Sequence, residues 1–136
     1  MVPKLKVLAA LRPEAIVAVE RALGEYAEIL PVYTYESGLA ELRSRPDLDL
    51  ILCGIYFGQT RMFDLLRVAR RDFPGVPFVC CRIGDTEIPQ VTVEAVGIAA
   101  KSMGAAAFVN LPVLRTADSD PEFRSLVLAN ARRRRA

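Results

Sequence analysis

What most constrains this chain is an alternation: short apolar runs of strand length are separated by stretches with the i, i+3, i+4, i+7 spacing of a helix face. Leu5-Lys6-Val7-Leu8-Ala9-Ala10-Leu11 reads as a buried strand. Pro13, Ile16, Val19 and Leu23 then give a helix that Gly24 ends. Ala27 to Val32 is a second, weaker strand, and Ser37 is the expected N-cap of a short helix carrying Leu39 and Leu42, which stops before Pro46. Asp49-Leu50-Ile51-Leu52-Cys53 is apolar without alternation, the pattern of a strand covered on both faces, and is the natural sheet centre. A loop, Gly54 to Thr60, leads into a helix with Leu66, Ala69 and Phe73 on one side and Arg67, Arg70 and Arg71 largely on the other.

Pro74-Gly75 breaks that helix, and Val76 to Cys81 is a fourth strand. After the loop Arg82 to Pro89, a helix carries Val96, Ala99, Ala100 and Met103 and ends at Gly104. Ala106 to Val109 is a fifth strand; Asp120 is placed to cap a last helix with Pro121 at its first position and Phe123, Leu126, Val127 and Ala131 on one stripe. Five βα units predict an α/β fold, a doubly wound parallel sheet with helices on both faces, because right-handed crossovers lay successive helices over the sheet. At 136 residues one domain is expected, spanning 1–131, followed by a basic tail, 132–136.

Composition removes several function classes. Cys53, Cys80 and Cys81 are an odd number without CxxC spacing, and the chain has no histidine. That argues against a disulfide framework, against a Cys/His metal site and against hydrolysis by a Ser-His or Cys-His pair. No stretch approaches the roughly 18 apolar residues of a membrane span, and Met1-Val2-Pro3-Lys4 does not open a signal peptide, so a soluble, cytoplasmic protein is expected. Net charge is +2, but four of the 18 basic residues are Arg132, Arg133, Arg134 and Arg135; the remaining 14 face 16 acidic ones. A basic nucleic-acid face is therefore expected nowhere but in that tail.

Three stretches carry a more specific likeness. Pro46-Asp47-Leu48-Asp49-Leu50-Ile51-Leu52-Cys53-Gly54, continuing to Phe63-Asp64-Leu65-Leu66-Arg67, is similar without a gap to the third strand, phosphorylation loop and third helix of response-regulator receiver domains. Val76-Pro77-Phe78-Val79-Cys80-Cys81 looks like their fourth strand with its leading proline. Ala100 to Pro112 is similar to their Gly-Ala, aromatic and Lys-Pro pattern, here Gly104-Ala105, Phe108 and Leu111-Pro112. With the element order, the resemblance covers nearly the whole chain. It implies a CheY-like, flavodoxin-like (βα)5 fold with strand order 2-1-3-4-5.

The resemblance breaks where chemistry would occur. Receivers accept a phosphoryl group on an aspartate at the end of the third strand, and that position is Gly54. Two acidic residues after the first strand hold Mg²⁺ in the family; their places fall on Leu11 and Arg12. The hydroxyl residue ending the fourth strand is Arg82, and the lysine before the loop proline is Leu111. The resemblance thus implies a pseudo-receiver: a non-catalytic signalling domain with no metal or cofactor, not phosphorylated on the usual aspartate. Arg12 or Arg82 is expected to fill the vacated acidic pocket, and the Leu111-Pro112 bond to be cis. The family's partner surface, made by the fourth helix, fifth strand and fifth helix, would serve a protein partner or a homodimer.

Other residues have two readings each. Cys53 ends a central strand, where α/β sheets place nucleophiles, but no histidine is present to activate it, and core packing is the simpler role for it, Cys80 and Cys81. Phe108 matches the aromatic whose rotation reports phosphorylation in receivers; without a hydroxyl at position 82, plain packing is favoured. Ile55-Tyr56-Phe57 is either a contact surface or packed on the third helix, and Arg61, Arg67, Arg70 and Arg71 with Asp64 read as a wet helix face. Arg132 to Arg135 is a solvated helix end or a salt-sensitive contact to phosphate, lipid or an acidic partner. The competing function is a small-ligand-binding domain, with a pocket between Leu11 to Pro13, Gly54 to Thr60 and Arg82 to Glu87.

Overall fold

A computed structural model describes residues 4–83, 88–111 and 120–131. Ten elements alternate: β1 (Leu5–Ala10), α1 (Pro13–Leu23), β2 (Ala27–Val32), α2 (Tyr35–Ser44), β3 (Leu50–Gly54), α3 (Met62–Asp72), β4 (Phe78–Ile83), α4 (Gln90–Ser102), β5 (Ala107–Leu111) and α5 (Asp120–Ala129). The strands form one sheet in the order β2-β1-β3-β4-β5, all parallel. This is the flavodoxin-like, doubly wound arrangement the sequence predicts.

Strand alternation sorts the core into two layers, because successive side chains leave opposite faces. Val7, Ala9, Leu11, Leu50, Leu52, Val79, Cys81 and Val109 pack with Ile16, Val19 and Leu23 of α1 and Phe123 and Val127 of α5. Leu8, Ala10, Ile51, Cys53, Phe78 and Cys80 face Leu42 of α2, Leu65, Leu66 and Ala69 of α3 and Ala100 of α4. β3 is buried along its whole length, which is why Leu50-Ile51-Leu52-Cys53 has no polar alternation. Cys80 and Cys81 fall on opposite faces, as adjacent strand residues must.

Several local expectations are corrected. Thr34, not Ser37, caps α2: the Thr34 hydroxyl accepts from the Ser37 N–H at 3.1 Å, while Ser37 at N3 returns a bond to the Thr34 N–H, a capping box that adds a turn before the expected start. β4 begins at Phe78, because Pro77 has no N–H and contributes only its carbonyl, which accepts from Ile51 N–H at 2.9 Å; it then runs on to include Arg82. Asp120 is the first residue of α5, and its carboxylate is spent on Arg21 of α1, whose Nε and Nη2 each donate at 2.8 Å. Leu126 is 43% exposed and leaves the α5 core stripe to Phe123 and Val127. Gly104, at φ +100°, ends α4 in a left-handed conformation, as its position past the helix implies.

Candidate functional site

The carboxyl ends of β1, β3 and β4 meet at Gly54. Register pairs Ala10 with Cys53 and Gly54 with Cys81, and the Ile55 N–H donates to the Cys81 carbonyl at 3.0 Å. Gly54 is buried in this junction. A side chain begun there would put its Cβ 3.0 Å from Leu11 Cδ2, so the Leu11 side chain would have to give way by a few tenths of an ångström to admit one. Leu11 itself is 2% exposed. The space enclosed by Leu11, Arg12, Ala15, Gly54, Tyr56, Cys81 and Arg82 with their neighbours is about 30 Å³, room for one or two water molecules.

Leu11 fills the inner side of this junction, and Arg12, one of the two arginines expected to plug it, does not. Leu11 follows Val7 and Ala9 on the α1 face of the sheet and is carried inward by the strand's own alternation. Arg12, the next residue, is turned outward, with Nε 3.5 Å from Glu14. Arg82 lines the junction with its Nε buried, and its Nη1 reaches Asn110 Oδ1 on β5 at 3.4 Å, the residue its backbone pairs with in register. Leu111 ends β5. Pro112, residues 84–87 and the tail Arg132, Arg133, Arg134 and Arg135 lie outside the described residues, as do the expectations placed on them.

No carboxylate is among the described residues lining the junction, and no group of three potential metal ligands exists among the described residues. Mg²⁺ requires oxygen donors, and Leu11, Arg12 and Gly54 supply none from side chains, so these described residues do not fit that ion. The cysteines do not supply an alternative nucleophile. All three are fully buried. Burial pushes the Cys80 thiol up to about 12. It raises Cys53 and Cys81 as well, with neighbouring thiols adding to the effect. At neutral pH these groups are protonated packing atoms.

Beside the junction, the loop after β3 is anchored by Phe57, 1% exposed and packed in the core, so the Ile55-Tyr56-Phe57 stretch is only partly a surface. Gly58, Gln59 and Thr60 follow at φ 56°, 58° and 70°, a left-handed run that costs energy at the two non-glycine residues, most at β-branched Thr60. Arg61 closes the loop, its guanidinium 3.7 Å over the Tyr35 ring and its Nε donating to Asp64 at 3.1 Å. An open hollow of about 330 Å³ lies outside, between Arg12, Pro13, Tyr33, Tyr56 and Gln59.

At the other edge of the sheet, Phe108 of β5 is half-buried against α4. The contact is close because Gly97 has no side chain there: a Cβ at 97 would lie 3.3 Å from the Phe108 ring. Phe108 also floors a hollow of about 360 Å³ bounded by Val93, Glu94, Ile98, Lys101 and Asn110. Packing and surface exposure are thus both properties of this ring.

No family model matches the chain, and no curated protein matches it. Solved structures do. The N-terminal signal receiver domain of a two-component response regulator from Bacteroides fragilis superposes with a TM-score of 0.75 at 15% identity, covering 98% of this chain and all of that one. The chain has the receiver fold. A response regulator from Thermotoga maritima gives 0.71 at 16% identity, over 93% of this chain and 99% of that one. The receiver domain of NtrX from Brucella abortus gives 0.69 at 20% identity, over 91% and 98%. The likeness of fold thus holds over more than nine-tenths of the chain at identities this low.

Within the receiver fold, sequence reasoning placed Gly54, Leu11, Arg12 and Arg82 together at the strand ends, and the structure brings them together. It missed which of them turns inward, although the alternation Val7, Ala9, Leu11 carried that signal. It missed Gly97, whose effect depends on a ring on another element. It also missed the Arg21–Asp120 pair, 99 residues apart, for which no local pattern exists.

Proposed function

We propose that this chain is a pseudo-receiver: a non-catalytic signalling domain that is not phosphorylated at the third strand and acts through protein–protein contact. The observation that supports this most is Leu11 seated 3.0 Å from the Cβ position of Gly54, an apolar side chain where phosphoryl transfer needs a carboxylate and a metal. Leu11, Arg12, Gly54, Arg82 and Leu111 then stand where the phosphorylation machinery would be, and none offers a nucleophile or a hard-ion ligand. With no chemistry at the strand ends, function passes to surfaces. The α4, β5 and α5 side is the one we assign to a protein partner or a homodimer, because its elements carry the exposed Val91, Ile98 and Leu126 and the hollow over Phe108. Among the described residues no helix is long and apolar enough to cross a membrane. We place the domain in the cytoplasm, and assign nucleic-acid contact only to the Arg132–Arg135 tail.

Titration with beryllofluoride and Mg²⁺ in a calorimeter tests the dead site. No heat beyond dilution is expected; micromolar binding would sink the reading. A second reading, small-ligand binding, is favoured by the open hollow of about 330 Å³ between Arg12, Tyr33 and Tyr56. Native mass spectrometry of gently purified protein decides for it if a stoichiometric small molecule is retained and is lost in Tyr56→Ala.

A further inference from the structure

α4 exposes aliphatic side chains on the side where a helix packed on a sheet should be polar. Val93, Gly97 and Ala100 turn inward and are buried. Val91 and Ile98 are 72% and 71% exposed, the highest values among the large apolar side chains described. With exposed Ala95 between them they follow i, i+4, i+7, a continuous stripe along the outer face. Glu94 and Lys101 sit on one flank of the stripe, seven residues or about 10 Å apart along the axis. Both line the hollow over Phe108. Among the described residues, Glu94 accepts a hydrogen bond from Gln90 at 3.2 Å, and no ion pair ties it or Lys101.

We propose that this stripe pairs with the α4 of a second copy, the two helices running antiparallel about a two-fold axis that passes between Gly97 and Ile98. The inference rests on reading the α4 side as a contact surface and adds the occupant and its orientation. Charge decides both. In an antiparallel pair the same flank meets the same flank, and residues equidistant from the axis face each other. Glu94 then meets the second copy's Lys101, and Lys101 its Glu94, so two opposite-charge contacts form from one sequence. Ile98 of each copy meets its counterpart beside the axis and is removed from water. A parallel pair sets each flank against the opposite flank of the second copy, so neither Glu94 nor Lys101 meets its opposite charge there, and only the antiparallel arrangement gains the two contacts. The contact is carried by one helix and needs no residue from α5.

Sedimentation equilibrium of the full chain, from micromolar to millimolar, tests this. Expected are a wild-type monomer–dimer equilibrium, a monomer for Ile98→Asp, and dimers about tenfold or more weaker for Glu94→Lys and for Lys101→Glu. The double variant Glu94→Lys, Lys101→Glu is expected to recover wild-type affinity, because the swapped charges face each other again. Circular dichroism melts check that each exposed substitution leaves the fold intact. A dimer that survives Ile98→Asp, or one that the double swap does not restore, overturns the antiparallel pairing. A wild type that stays monomeric to millimolar overturns the second copy as occupant and leaves the contact surface to a different protein; a dimer indifferent to all these variants overturns the contact surface as well.

Discussion

The junction at Gly54 and the outer face of α4 are both apolar, and they differ in which way the side chains point. At the junction Leu11 is 2% exposed and fills the space beside Gly54; on α4, Ile98 is 71% exposed and fills nothing within its own chain. The same residue class thus fills space in one place and offers a surface in the other. Burial at the junction stabilises the fold, on the order of 2 kcal/mol for a side chain the size of leucine. Exposure on α4 contributes nothing to folding and leaves that transfer energy for association.

The largest expected effect breaks the junction. Gly54→Asp forces a carboxylate against Leu11 and away from water, and should cost about 4 kcal/mol in a urea titration. Adding Leu11→Ala to it should recover part of the loss, a coupling of at least about 0.5 kcal/mol, because the two side chains compete for one space. Unchanged stability in Gly54→Asp would mean that the junction opens freely. Leu11→Ala alone should cost about 3 kcal/mol through lost burial and a cavity larger than the present one, whereas Ile98→Ala should stay within about 0.5 kcal/mol. Equal losses at the two positions would erase the contrast between them.

The next effect lies between these extremes, in a polar contact between a buried carboxylate and a partly exposed arginine. Asp120 is 5% exposed, and two hydrogen bonds from Arg21 hold its carboxyl below the ordinary range despite the opposing effect of burial. Asp120→Asn should cost about 2 kcal/mol at neutral pH. Because the native value is lowered, the ionised carboxylate's stabilisation is fully present above its unfolded value, about 3.9, and is lost as pH falls through the folded one. The gap between wild type and Asp120→Asn, followed by thermal melts, should therefore close below about pH 4. A constant gap would assign the cost to packing instead. Smallest of all, Val91→Ser on the outer face of α4 should shift the melting temperature by no more than about 2 °C.

Much of this molecule was legible in the residues. The alternation of apolar runs and helical spacing predicted five βα units, and the unbroken Leu50-Ile51-Leu52-Cys53 marked the centre of the sheet before any coordinates. Spacing also put Leu11, Arg12, Gly54 and Arg82 at one end of the strands. Boundaries slipped where a capping hydroxyl or a proline shifted the start, as at Thr34 and Phe78. These errors are local, because a box formed by Thr34 and Ser37 and a missing N–H at Pro77 each act over a few residues.

The sequence by itself determined the order of elements, the face each strand residue takes and the absence of an acid at position 54, since all three follow from chain period and residue identity. Only the tertiary structure decided that Leu11 rather than Arg12 turns into the junction, that Gly97 lets Phe108 lie against α4, and that Arg21 grips Asp120 across 99 residues. Each of these depends on distances between elements that the chain brings together late. Periodicity says which side of an element a residue occupies, and packing alone says what it meets there.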